Sequence, residues 1–239
     1  MIMRLMTENG AMRRRRSFVL GTTIIGLMMA LSHVAFAAPV TVVPASISKD
    51  CRGGVARIYD ECSDQAELLA EALRLANASD KTVLILYGAE WCIWCHVFDK
   101  YVKGQSRRFK YQWQFPDGYE ERWDMREREN RQAEAQAKQL NEYVAANFVI
   151  FHLEYYFSPN GEAVLASTGF DAASVEVVPQ VLVVDGRGKF VAGMDDYSSI
   201  AKLEIREDSG KEYRGFDRPT LLRELTALRE AALAAERAE

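Results

Sequence analysis

Histidine and cysteine are scarce, three and four among 239 residues. The histidines (His33, His96 and His152) fall at no metal-ligand spacing with each other or with the cysteines, so no metal centre is expected. Internal repeats and low-complexity tracts are absent, which excludes solenoids and compositionally biased linkers. An excess of positive charge is also missing, since the formal net charge is −4. Without residues 1–37 the remainder carries 25 basic and 33 acidic side chains, a net charge of −8. A nucleic-acid surface is excluded on that balance, because phosphate binding is dominated by basic residues. The apolar stretch 18–31 falls short of the roughly 20 residues that span a membrane. What remains, 49% hydrophobic and 27% charged, is an ordinary globular composition with enough chain to bury a substantial core.

The N-terminus reads as an export signal. Arg13, Arg14, Arg15 and Arg16 form a positive segment, 18–31 an apolar one, and Ala35-Phe36-Ala37 an A-x-A cleavage site. The mature chain is expected to begin at Ala38, in the periplasm or otherwise exported, with membrane contact only if the signal stays uncleaved. Arg15-Arg16-Ser17-Phe18 fits the RRxF core of a twin-arginine signal, although four consecutive arginines contain such a pair by accident. All four cysteines lie in the exported part, where disulfides persist.

The stretch 82–97, TVLILYGAEWCIWCHV, organises the rest. Residues 83–87 have the length, β-branched content and glycine boundary of a buried strand. The following IWCHVFDKYVKG has near-helical apolar spacing and stops at Gly104. Cys92 therefore falls where strand gives way to helix, among free backbone N–H groups that favour a thiolate. Cys95 lies one turn further on, placed to resolve a mixed disulfide formed at Cys92. Cys92-Ile93-Trp94-Cys95-His96 is also the CxxCH pattern of covalent c-type haem attachment, with His96 as axial ligand. That reading consumes both sulfurs in thioethers and leaves the strand-rich flanks unexplained.

The segment GAEWCIWC resembles the active-site segment of the thioredoxin family, where tryptophan precedes a CxxC on the first turn of a helix. A second segment, VEVVPQVLVVDGRGKFVAG at 175–193, is similar to that family's cis-proline strand and hairpin. The resemblance covers 63–194 plus a C-terminal helix, interrupted after the active-site helix. It implies a three-layer α/β fold, with a central mixed sheet flanked by helices. Cys92 and Cys95 would be catalytic, with Trp91 shielding the pair. Val178 and a cis-bonded Pro179 would shape the substrate groove. It also implies protein thiol or disulfide substrates, a redox partner protein and no cofactor. One departure stands out: Leu86 occupies the position where thioredoxin has a buried aspartate. Glu90 and His96 are the nearby acid–base candidates, neither in that buried position, with His96 otherwise an exposed polar residue on the first turn.

Residues 38–62 form an N-terminal extension, with 39–47 a lead-in or an edge strand because Pro39 and Pro44 forbid regular central pairing. Even cysteine count and export make Cys51–Cys62 a structural disulfide; the alternative is a second redox pair relaying electrons to Cys92 and Cys95. The main domain, 63–239, opens on a helix capped by Ser63 or Asp64. An insertion at about 104–146 contains the aromatics Phe109, Tyr111, Trp113, Phe115, Tyr119 and Trp123, then a charged helix over 126–146. The aromatics read as a satellite core under a long loop, or as a lid or docking surface beside Cys92. On the docking reading the chain would be a redox-inert binding module. A strand at 148–156, a short helix at 162–167, a hairpin at 180–194, an added strand within 202–212 and a helix at 219–236 capped by Asp217 complete the expectation.

Overall fold

A computed structural model describes residues 39–115, 117–126, 131–194, 206–208, 211–213 and 215–238. The expected export signal lies outside the described residues. The central sheet has five strands: β1 (Thr41–Val43), β2 (Thr82–Gly88), β5 (Phe148–Glu154), β6 (Gln180–Val184) and β7 (Phe190–Gly193), in the order β1-β5-β2-β6-β7. β5 runs parallel to both β1 and β2, whereas β6 is antiparallel to β2 and β7. The lead-in is thus an edge strand. β2 and β5 are buried along their whole length, which explains their near-continuous apolar sequences.

Alternation along the strands divides the core in two. Leu84, Leu86, Phe148, Ile150, Val181 and Val183 face α2 (Ile93–Val102), α3 (Ala133–Asn147) and α5 (Arg218–Arg237). Val83, Ile85, Tyr87, Val149, Phe151, Leu182 and Val184 face the opposite way, against α1 (Gln65–Ser79) and α4 (Gly161–Ser167). The result is a mixed sheet flanked by helices. Asp64 caps α1 by accepting from the N–H groups of Ala66 and Glu67, and Asp217 caps α5 through Thr220 N–H. Among the described residues no helix is long and apolar enough to cross a membrane.

The insertion differs from its reading as a long loop and helix. β3 (Arg108–Gln114) and β4 (Glu120–Arg126) pair as an antiparallel hairpin. Its signal was the alternation of Phe109, Tyr111 and Trp113 with Lys110 and Gln112. Phe109 and Tyr111 belong to the main core, not to a satellite, with Phe109 stacked on Tyr101 of α2. Tyr119, near the hairpin turn, is exposed. α3 begins at Ala133, and residues 127–130 of the expected helix lie outside the described residues. Ala133, Ala137, Leu140 and Val144 form its buried stripe. Two short strands, β8 (Arg206–Asp208) and β9 (Lys211–Tyr213), pair with each other where a single added strand was expected.

Candidate active site

Gly88 ends β2, and residues 89–92 turn the chain into α2. Cys92 is the N-cap of α2, and its sulfur accepts from the Cys95 N–H at 3.2 Å. Cys92 and Cys95 are joined as a disulfide, as are Cys51 and Cys62, and no cysteine is free. Cys92 retains 4% exposure and Cys95 none. The helix start presents its dipole and N–H groups to the first sulfur, while the second is embedded one turn down in the core.

Trp91 is half-buried beside the pair, its ring edge-on to Tyr155 and Tyr156 at centroid distances of 6.3 and 5.7 Å. The Val178–Pro179 peptide is cis. Gln180 pairs with Tyr87, so Pro179 comes level with Gly88 at the end of the sheet where α2 begins. Val178 is half-buried and packs against both core clusters. Trp91, Cys92, Cys95 and Pro179 therefore gather at one end of β2.

Glu90 and His96 are not at the surface. Their exposures are 1% and 4%, which corrects the expectation of an exposed His96. His96 Nε2 lies 2.6 Å from the Glu90 carbonyl oxygen and 3.3 Å from its Oε1, so Nε2 carries the hydrogen. Glu90 Oε2 accepts from the backbone N–H groups of Ile58 and Tyr59, at 3.0 and 3.1 Å. One carboxylate thus ties the N-terminal extension to the turn before the cysteines and to the first turn of α2. A buried carboxylate requires that degree of satisfaction.

Leu86 is a core residue, as expected, but its partner on β5 is His152. His152 is buried and its Nε2 lies 3.1 Å from Oδ1 of Asp99, a buried α2 residue that also pairs with Lys103 at 2.7 Å. Burial would raise the Asp99 carboxyl, but His152 and Lys103 beside it hold it well below the usual carboxylate range. Polar chemistry thus lies under α2, on His152, noted in the sequence only as one of three histidines at no metal-ligand spacing, and on Asp99, which local sequence pattern did not single out.

Tyr59 is the second residue missed. It is fully buried and edge-on to His152 at 5.4 Å, and its hydroxyl has no hydrogen-bond partner among the described residues. Its position is defined by Gly88: a Cβ there would lie 2.5 Å from Cys95 Sγ and 2.6 Å from Tyr59 Oη. The sulfur and the hydroxyl flank one point in the core.

The Cys51–Cys62 loop carries Tyr59 and is laced by short-range bonds. Asp60 Oδ1 accepts from the N–H groups of Cys62 and Ser63. Glu61 pairs with Arg52 at 3.1 Å, and the Arg52 guanidinium lies 3.5 Å from the centre of the Phe157 ring. Burial pushes the Glu61 carboxyl up to about 7, against the opposing pull of Arg52. Cys51, Asp60 and Cys62 are the one trio of metal-ligand types clustered among the described residues, and both its sulfurs are committed to the disulfide.

In comparisons with known proteins, the chain matches no family model, no curated protein and no solved structure.

Proposed function

We propose that the protein is an exported thiol–disulfide oxidoreductase of thioredoxin-like fold, exchanging disulfides with protein cysteines. One observation carries the reading: Cys92 and Cys95 close a disulfide across the first turn of α2, at its N-cap, directly after central strand β2. In the reduced protein Cys92 is the attacking thiolate, favoured by the helix N-terminus, and Cys95 resolves the mixed disulfide. The helix-flanked mixed sheet and the cis Val178–Pro179 peptide ahead of the β6–β7 hairpin support the fold assignment. Trp91, Val178 and Pro179 shape the substrate groove, and a second redox protein recycles the pair. Export rests on the arginine run, apolar stretch and A-x-A site of residues 13–37.

Two rival readings are weaker. A c-type haem would need both sulfurs as thioethers and His96 as ligand, but the sulfurs are bonded to each other and His96 Nε2 faces Glu90. A redox-inert module would use the insertion aromatics as a surface, but Phe109 and Tyr111 are buried.

The test is trapping. Cys95→Ser leaves Cys92 with no partner to release it, so protein substrates should remain disulfide-linked to Cys92. Cys92→Ser should trap little, because Cys95 is fully buried and further into the helix. Partners retained by both variants without disulfide adducts would refute the oxidoreductase reading. Adducts on Cys95 alone would reverse the two roles.

A further inference from the structure

Beneath the cysteine pair, the Tyr59 hydroxyl is a buried donor with no acceptor among the described residues. A phenylalanine would fill the same space without burying an unpaired polar group, which costs free energy. The hydroxyl and the sulfur of Cys95 both lie against Gly88, 2.6 and 2.5 Å from where a Cβ would stand. Cys95 is the sulfur that solvent cannot reach, at 0% exposure. Any thiolate formed there needs a donor from the protein itself.

Accepting the thiol–disulfide reading of the site, we propose that the Tyr59 hydroxyl is the hydrogen-bond donor to the Cys95 thiolate. In the reduced protein, Cys92 attacks a substrate disulfide. A bond forms from its sulfur to one substrate sulfur, the substrate S–S bond breaks, and the other sulfur leaves with the electron pair. Cys95 then loses its proton, attacks Cys92 Sγ and expels the remaining substrate sulfur as a thiolate. That thiolate takes up the proton at the end, and two electrons have passed from the dithiol to the substrate. The buried anion on Cys95 exists just before this second attack. In the reverse direction it is the leaving group when a substrate thiolate opens the Cys92–Cys95 bond. A donor at Cys95 serves both directions and leaves the chemistry of Cys92 alone.

Its surroundings keep Tyr59 a donor. Burial first, then the negative charges of Glu90, Asp99 and Glu154, push the phenol well above its ordinary range, so the proton stays on oxygen. Its backbone is held by Glu90 Oε2. Glu90 acts through Tyr59 as a positioning residue.

A symmetrical aryl disulfide, which releases a coloured thiolate, separates the two steps. Reduced wild-type protein should release one equivalent as Cys92 attacks and a second as Cys95 resolves. Cys95→Ser should give the first phase alone. Tyr59→Phe should keep the first rate and slow the second by about tenfold to a hundredfold, the range for a hydrogen bond to a charged group. Two equal wild-type rates in Tyr59→Phe would overturn the assignment, as would equal slowing of both phases, which would mark a structural effect. Absence of any first phase in the wild type would instead overturn the oxidoreductase reading on which this rests. Should Tyr59→Phe not fold, a difluorotyrosine at position 59 keeps the shape and strengthens the donor. It should speed the second phase alone, because thiolate fraction outweighs the accompanying loss of nucleophilicity. An unchanged or slower second phase would refute the proposal.

Discussion

Gly88 shows how tightly single positions constrain this site. Its sequence signal was that of a strand boundary, but its function in the fold is spatial. A methyl group there would meet Cys95 Sγ at 2.5 Å, Tyr59 Oη at 2.6 Å and Tyr59 Cζ at 3.2 Å, and neither neighbour is a flexible surface group. Both are fully buried, and the Tyr59 ring also meets His152 edge-on. Gly88→Ala must displace the disulfide, the tyrosine or the end of β2. Overpacking of this kind costs about 1–3 kcal/mol. In a domain of this size that lowers the thermal midpoint by roughly 2–4 °C per kcal/mol. Thermal unfolding followed by circular dichroism measures it, and an unchanged midpoint would show that the cysteine turn is more compliant than its burial indicates.

At the scale of elements, the loop closed by Cys51–Cys62 carries a titration opposite in sign to that of α2. Glu61 has its folded-state pKa raised from 4.5 to about 7 by burial, among Arg52, Glu154 and Glu90. The folded state therefore binds that proton more tightly than the unfolded chain, so this contribution is full below the unfolded value and disappears as pH rises through about 7. Asp99 is lowered, so its contribution is present above the unfolded carboxylate value and is lost as acid protonates it. Glu61→Gln should flatten the fall in thermal midpoint between about pH 5 and about pH 8 while leaving the acid limb in place. Parallel profiles for wild type and variant would remove Glu61 from the account. Elements with strong local grammar were legible beforehand: the apolar β2, the capped α1 and α5, and the β6–β7 hairpin. The β3–β4 hairpin was obscured because its alternating aromatics sit among charges and polar amides, which resemble a solvated loop. Cys92 and Cys95 were legible from spacing, and Trp91 from its place before them. Tyr59 was not, because what positions it is a hydrogen bond to Glu90, 31 residues away in sequence. The burial of His96 likewise depends on a carboxylate with which no helical period connects it.

For the molecule as a whole, the question is whether the N-terminal disulfide holds the site or only the chain. Cys51 is buried and Cys62 exposed, 11 residues apart. Closing so short a loop stabilises mainly by restricting the unfolded ensemble, by about 2–3 kcal/mol. Tyr59 has separate attachments. Glu90 Oε2 accepts from Ile58 and Tyr59, Gln65 Nε2 donates to the Asp60 carbonyl at 2.7 Å, and Asp60 turns the chain toward α1. These bonds connect the extension to the cysteine turn and to α1 without using either sulfur. Replacing both Cys51 and Cys62 by alanine should therefore cost about 2–3 kcal/mol in chemical denaturation. Both phases of the aryl disulfide reaction should nevertheless keep their wild-type rates. Denaturant titration and stopped-flow absorbance on the same preparation provide the two readouts. If the second phase slowed as in Tyr59→Phe, the disulfide itself would be positioning the tyrosine. The oxidation state of Cys51 and Cys62 would then control how fast Cys95 resolves, a coupling between the two cysteine pairs without electron transfer between them.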